Sequence, residues 1–151
     1  MKLGFKRLRY HMISLDTAAR INFLLHQLSE KAKDQSIPDL KRILGKRDVF
    51  SVGAFDNGIL VGMNSIHFKE TLMRKAGIIE NPGDTEDVVV DKEYRGRGIA
   101  RKLNEILIKE ARKRKVDCID LTSNSSRTEA IAMYESMGFE KRDTNCYRLS
   151  L

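Results

Sequence analysis

Asp87-Val88-Val89-Val90-Asp91-Lys92-Glu93-Tyr94-Arg95-Gly96-Arg97-Gly98-Ile99-Ala100-Arg101-Lys102-Leu103 is the stretch on which the fold turns. Its valines close a buried strand predicted over Glu86 to Val90, because consecutive β-branched residues suit a strand covered on both faces. A helix is predicted from Gly98 to Lys113: Ile99, Leu103, Ile106 and Leu107 recur on one face, and Arg101, Lys102, Glu105, Lys109 and Arg112 on the other. Between strand and helix, Gly96 and Gly98 let the backbone turn sharply and approach a ligand. The first N–H groups of the helix have no intrahelical partner and can donate to a phosphate. Arg95, Arg97, Arg101 and Lys102 crowd the same turn. A diphosphate site is one reading, and a glycine-bearing turn beneath a solvated basic face is the other.

Two familiar phosphate loops do not fit. A P-loop needs Gly-Lys-Ser/Thr to hold the β- and γ-phosphates and the metal, which this stretch lacks. The Rossmann fingerprint places its glycines near the start of a βαβ series, whereas an antiparallel meander is predicted ahead of these.

That meander lies upstream. Val49 to Phe55 and Ile59 to Phe68 read as strands joined through Asp56-Asn57-Gly58, where Asn-Gly supplies the positive φ angles of a tight hairpin. Lys69 to Asp84 has weak periodicity and carries the loop signal Asn81-Pro82-Gly83-Asp84. Nearer the start, a first strand precedes a helix capped by Asp16 and ending near Lys33. Ile21, Leu24, Leu25 and Leu28 form its apolar stripe, with Arg20, Gln27 and Lys31 turned to solvent. Pro38 fits the first turn of a short second helix that Gly45 stops.

Downstream, Cys118 to Leu121 reads as a short buried strand. Ser126 and Glu129 have capping-box spacing and open a helix carrying Ala130, Ile131, Tyr134 and Met137, with Gly138 as its stop. Phe139 to Arg142 and Cys146 to Leu149 are predicted to pair across Asp143-Thr144-Asn145. The resulting order is a strand, two helices, an antiparallel meander, a long helix, a strand, a helix and a hairpin: an α+β mixed sheet with helices on its faces.

The 151 residues suit a single domain over 1–151. Hydrophobic residues at 41% and charged residues at 32% exclude collagen-like and disordered classes. No apolar run reaches the ~20 residues of a membrane helix, and the first eleven residues lack a signal-peptide apolar segment, so a cytoplasmic protein is expected. Cys118 and Cys146 form no CxxC pair and have no His at ligand spacing, which predicts reduced packing residues and no metal. His11, His26 and His67 show no spacing for metal or triad chemistry. The net charge of +7 favours anionic ligands. Lys109 to Lys115 sits at a helix C-terminus, where cations complement the dipole, and reads as a solvated face rather than a nucleic-acid patch.

Arg95-Gly96-Arg97-Gly98-Ile99-Ala100 resembles the Gln/Arg-x-x-Gly-x-Gly/Ala acyl-CoA loop of the GNAT superfamily of N-acetyltransferases. Glu86-Asp87-Val88-Val89-Val90-Asp91 and Ala130-Ile131-Ala132-Met133-Tyr134-Glu135-Ser136-Met137-Gly138-Phe139 are similar to that family's strand and tyrosine helix. The resemblance implies the GNAT acyl-CoA N-acyltransferase fold, a central mixed, mostly antiparallel β-sheet flanked by helices. It also implies acetyl-CoA as cosubstrate without a metal. The implied reaction is direct attack of a primary amine in a ternary complex. Its first acceptor is a small-molecule amine or amino-acid derivative, and its second a protein N-terminus or lysine.

In that family the strand before the loop carries a bulge and splays from its neighbour, so a ligand's amide-rich arm can dock as a partial extra strand. The resemblance therefore gives Val88 and Val90 the pantetheine arm, and Arg95, Gly96, Arg97, Gly98, Ile99 and Ala100 the pyrophosphate. Tyr134 matches the phenol that protonates the leaving thiolate, with a core tyrosine as the alternative. Glu86 and Asp87 are the candidate bases. Strand alternation lets only one of them face the cleft, Glu86 being preferred, and ordered water is the alternative. Many family members carry Asn where this chain has Arg127. Asn124 and Arg127 are thus candidate coenzyme contacts, each equally readable as a cap or surface residue. The implied partners are an amine substrate, with neither nucleic acid nor membrane. Family members often form homodimers, though no feature here marks an interface. A non-catalytic acyl-CoA sensor of the same fold is the competing function.

Overall fold

The computed structural model describes residues 1–79, 88–145, 147, 149 and 151. Strand β1 (Leu3–Leu8) is followed by helices α1 (Leu15–Leu28) and α2 (Ile37–Leu44). The meander β2 (Val49–Asp56), β3 (Ile59–Glu70) and β4 (Lys75–Ile79) comes next. The two-residue strand β5 (Val89–Val90) leads through a 3-10 turn at Lys92–Tyr94 into α3 (Ile99–Lys113), and β6 (Cys118–Leu121) and α4 (Thr128–Ser136) follow. The sheet runs β1-β2-β3-β4-β6, with β5 also paired to β3. Only β6 against β4 is parallel; the other described pairings are antiparallel. The mixed, mostly antiparallel sheet flanked by helices is the expected architecture.

Strand alternation divides the core in two. Leu60, Met63 and Val89 pack with the Ile21, Leu24, Leu25 and Leu28 stripe of α1. Val61, Ile66 and Val90 pack on the other face with Ile99, Leu103 and Leu107 of α3. Adjacent residues of β5 thus serve opposite layers, as a period of two requires.

β4 and β5 share one partner. Ile79 faces Ile66 and Val89 faces Met63, so β3 advances three residues while the facing chain advances ten. The strand over Glu86 to Val90, for which the family resemblance implies a bulge, lies partly outside the described residues.

Several sequence readings need correction. Ser14, not Asp16, caps α1, its Oγ accepting from Thr17 N at 3.2 Å. That helix stops at Leu28, where the apolar stripe ends. Beyond it Asn22 holds the returning chain by exchanging bonds with Gln35 N and O at 2.8 and 3.1 Å. Arg20 and Gln27 do not face bulk water but reach the buried Asp91. Strand β4 replaces part of the predicted loop. Its hairpin is turned by Thr71, whose Oγ1 accepts from Met73 N and Arg74 N, so no Asn-Gly signal was needed.

β6 has the predicted bounds but is half-buried throughout. The α4 N-cap falls on Arg127, without a side-chain cap. Ser126 instead donates its hydroxyl to Asn124 Oδ1, so the predicted capping box does not form. Residues 139–142 form no strand. Tyr147 and Leu149 are 88% and 84% exposed, and Cys146 and Arg148 lie outside the described residues.

Candidate active site

Backbone direction around β5 creates the first half of the site. Asp91 N donates to Val61 O at 2.8 Å, toward β3. Backbone groups of an antiparallel strand alternate, so those of Val89 also face β3 while those of Val88 and Val90 face away. Since β6 pairs with β4, β5 carries no strand on that outer edge among the described residues. One outward acceptor is engaged from within: Arg95 Nε donates to Val90 O at 3.1 Å.

The second half is the turn into α3. Gly96 and Gly98 have φ of +73° and +72°, and a Cβ added at either would meet no heavy atom within 4 Å. The glycines are therefore required by conformation, and they open space. The first α3 backbone bond is Lys102 N to Gly98 O at 3.0 Å, which leaves Ile99, Ala100 and Arg101 N–H without helical acceptors. Whereas Ser14 and Ser36 cap α1 and α2, neither Gly98 of α3 nor Arg127 of α4 supplies a side-chain cap. The N-termini of α3 and α4 open on one cavity of about 550 Å³, with the β5 edge as a third wall and Gln27 and Leu28 of α1 as a fourth.

The cavity gathers Val88, Val90, Arg95, Gly96, Gly98, Ile99, Ala100 and Arg127 of the sequence candidates. Arg97 does not line it; its guanidinium lies 5.1 Å from the Tyr94 ring centroid and donates to Glu93 O at 3.1 Å. Asn124 does not line it either; its Oδ1 accepts from Ser126 N and Oγ, both at 2.9 Å. Tyr134 stands one helical turn beyond the lining residue Ala130. Its ring is 4% exposed and packs edge-on against Phe139 at 5.7 Å. Glu86 and Asp87 lie outside the described residues.

Sequence reasoning missed Tyr94 and Gln27. Tyr94 lines the cavity and donates its hydroxyl to Asp56 Oδ2 at 3.0 Å, and this bond raises the phenol above its ordinary pKa. Gln27 bridges α1 to the post-strand turn, giving Nε2 to Asp91 Oδ1 at 3.2 Å and accepting from Lys92 N at 2.8 Å. Asp91 Oδ2 receives Arg20 Nη2 at 2.8 Å. Burial pushes the Asp91 carboxyl up, but the bonds from Arg20, Gln27 and Glu93 N outweigh it and hold the group below the ordinary carboxylate range. No local motif announced these contacts, which span 64 and 71 positions.

These features fit a phosphorylated ligand with an amide arm. Arg95, Arg101 and Arg127 supply positive charge around the helix termini, and the β5 edge offers backbone groups. Among the described residues no cluster of His, Cys, Asp and Glu is placed to hold a metal ion. No described helix is long and apolar enough to cross a membrane.

An open-edged strand, a two-glycine turn and a helix N-terminus on one cavity are the arrangement of an acyl-coenzyme A acyltransferase. The sequence pattern of the acetyltransferase (GNAT) family matches residues 14–139, and the chain belongs to that family. It is 42% identical over 55 residues to the [ribosomal protein bS18]-alanine N-acetyltransferase of Escherichia coli (strain K12), a match covering 36% of this chain and 37% of that relative's length. Ribosomal-protein-alanine N-acetyltransferase from Brucella melitensis shares the fold at a TM-score of 0.74 and 20% identity, covering 99% of both chains. An aminoglycoside acetyltransferase from an uncultured soil metagenomic sample shares it at a TM-score of 0.81 and 15% identity, over 99% of this chain and 97% of that one.

Proposed function

We propose that this protein is an acetyl-CoA-dependent N-acetyltransferase that moves an acetyl group to a primary amine by direct attack in a ternary complex. The observation that carries the reading is the junction, on one cavity, of the β5 edge that no strand covers among the described residues with the uncapped N-terminus of α3. In this reading the diphosphate lies on the N–H groups of Ile99, Ala100 and Arg101. The pantetheine amides run along the outward groups of Val88 and Val90. Val90 O, which already accepts from Arg95 Nε, has a second lone pair for an amide, and Arg95 can also turn its guanidinium to a phosphate.

The acceptor is best read as an α-amine, in an amino-acid derivative first and at a protein N-terminus second. An α-amine with pKa ~8 has a neutral fraction roughly a hundredfold larger near pH 7 than an alkyl amine with pKa ~10. It therefore demands least of a base. Glu86, Asp87 or an ordered water takes the ammonium proton, Glu86 being preferred. The amine then attacks the thioester carbonyl, the tetrahedral intermediate expels the thiolate, Tyr134 gives its phenolic proton to sulfur, and the proton shed by the acylated nitrogen restores the phenol through solvent.

The likeness to ribosomal-protein-alanine acetyltransferases supports the protein N-terminus as the second acceptor. Thiol release from acetyl-CoA across free amino acids, amino-acid amides and alanine-initiated peptides tests the proposal. Turnover with at least one α-amine is expected; binding of acetyl-CoA without turnover on any of them would favour a sensor of the same fold.

A further inference from the structure

We infer that the buried Asn64–Asn104 pair is a positioning relay for the phosphate-binding end of α3, an inference that rests on the coenzyme reading of the cavity. Both side chains are fully buried, within the core layer that Val61 and Ile66 of β3 form with Leu103 and Leu107 of α3. Two amides in such a layer are stable only if their polar atoms are paired, and apolar residues of similar volume would fill the space with less desolvation.

Their bonds run in one direction. Asn64 Oδ1 accepts from Ser65 N at 2.8 Å, Asn64 Nδ2 donates to Asn104 Oδ1 at 3.0 Å, and Asn104 Nδ2 donates to Ala100 O at 3.0 Å. Because Asn64 occupies Asn104 Oδ1 with a donor, the Asn104 amino group is turned toward the first turn of the helix. Ala100 O thereby gains a side-chain donor in addition to its helical one. That carbonyl belongs to the same peptide unit as Arg101 N–H, one of the three helix-terminal donors facing the cavity. A carbonyl that accepts more strongly makes its own peptide N–H a better donor.

The relay also fixes distance. Asn64 follows Met63, whose partner across the ladder is Val89 of β5. One pair of side chains therefore ties the strand next to the proposed pantetheine edge to the proposed phosphate-binding turn. This explains why polar atoms occupy the centre of an apolar layer.

The test is the double variant N64L/N104L, which removes both side-chain amides together and leaves Ser65 N as the one donor that loses its partner. Binding of CoA and of acetylpantetheine, which has the amide arm without phosphates, is measured by calorimetry beside thermal unfolding. The expected result is an unfolding midpoint within a few degrees of the wild type, CoA affinity lowered about two- to fourfold, the weakening by roughly 10–30% of a charge-assisted hydrogen bond, and acetylpantetheine affinity unchanged. KM for acetyl-CoA should rise with kcat intact. N64L/N104M provides a second apolar filling should the first not fold. Equal losses for both ligands, unchanged CoA affinity in a folded variant, or failure of both variants to fold would each overturn the relay. A wild type that does not bind CoA refutes the coenzyme reading itself, whereas a binding wild type with indifferent variants refutes the relay alone.

Discussion

Replacing Gly98 by Ala separates the demands of the fold from those of the ligand. At φ of +72° an L-residue pays the left-handed penalty, about 1–2 kcal/mol. The added Cβ itself meets no heavy atom of the protein within 4 Å. Stability should therefore drop by that amount alone, a fall of roughly 2–8 °C in Tm for a chain of this length. The open space that spares the protein a clash is where the diphosphate is proposed to sit. A methyl group there should displace at least one charge-assisted hydrogen bond, about 1.5–3 kcal/mol, lowering affinity by about 10–150-fold.

Gly58 provides the matched control: φ is +85°, its Cβ also meets nothing, and it lies in the β2–β3 turn, outside the cavity lining. Thermal unfolding and calorimetric titration with acetyl-CoA on G98A and G58A should show similar stability losses and an affinity loss confined to G98A. Equal acetyl-CoA affinities in the two variants would refute the reasoning.

Removing the Asp91 carboxylate in D91A should destabilise the chain by about 2–4 kcal/mol, because Arg20 and the Lys92–Tyr94 turn lose a buried partner; urea unfolding checks this, and a loss below about 0.5 kcal/mol would contradict it. Since the folded Asp91 pKa lies below its unfolded value of ~3.9, its contribution is present above that pH and is lost as pH falls through the depressed folded value. The wild type should accordingly lose stability on acidification below about pH 4 more steeply than D91N, which parallel unfolding curves would detect. Y134F keeps the ring against Phe139 and should leave Tm within a few degrees while reducing kcat by about a hundredfold; an unchanged rate with every active amine would remove Tyr134 from the chemistry.

What could be read in advance follows the range of the interaction. The α3 helix, the Asn57-Gly58 hairpin and the Pro38-to-Gly45 helix carry their signals within a few residues, and each forms where its pattern places it. Strand β4 was hidden because Ala76 and Gly77 dilute its alternation and Thr71 makes the turn through its hydroxyl. Asn22, Arg20 and Gln27 look like solvent-facing residues of an amphipathic helix until distant segments bring them Gln35 and Asp91 as partners. The outward strand edge came only from the family resemblance, whereas the glycine turn was legible because it depends on backbone conformation. Tyr94 was not, since its hydroxyl is oriented by Asp56, 38 positions earlier. In the predicted terminal hairpin, residues 139–142 form no strand, and the apolar Tyr147 and Leu149 face solvent where a packing layer was expected.

Amide hydrogen exchange at Ile99, Ala100 and Arg101, followed by NMR without and with acetyl-CoA, tests the central claim most directly. These groups have no helical acceptors in the free protein and should exchange rapidly. Saturating coenzyme should slow all three together with the outward N–H groups of Val88 and Val90. Unaltered exchange at these five amides, with acetyl-CoA bound elsewhere or not at all, would contradict the account.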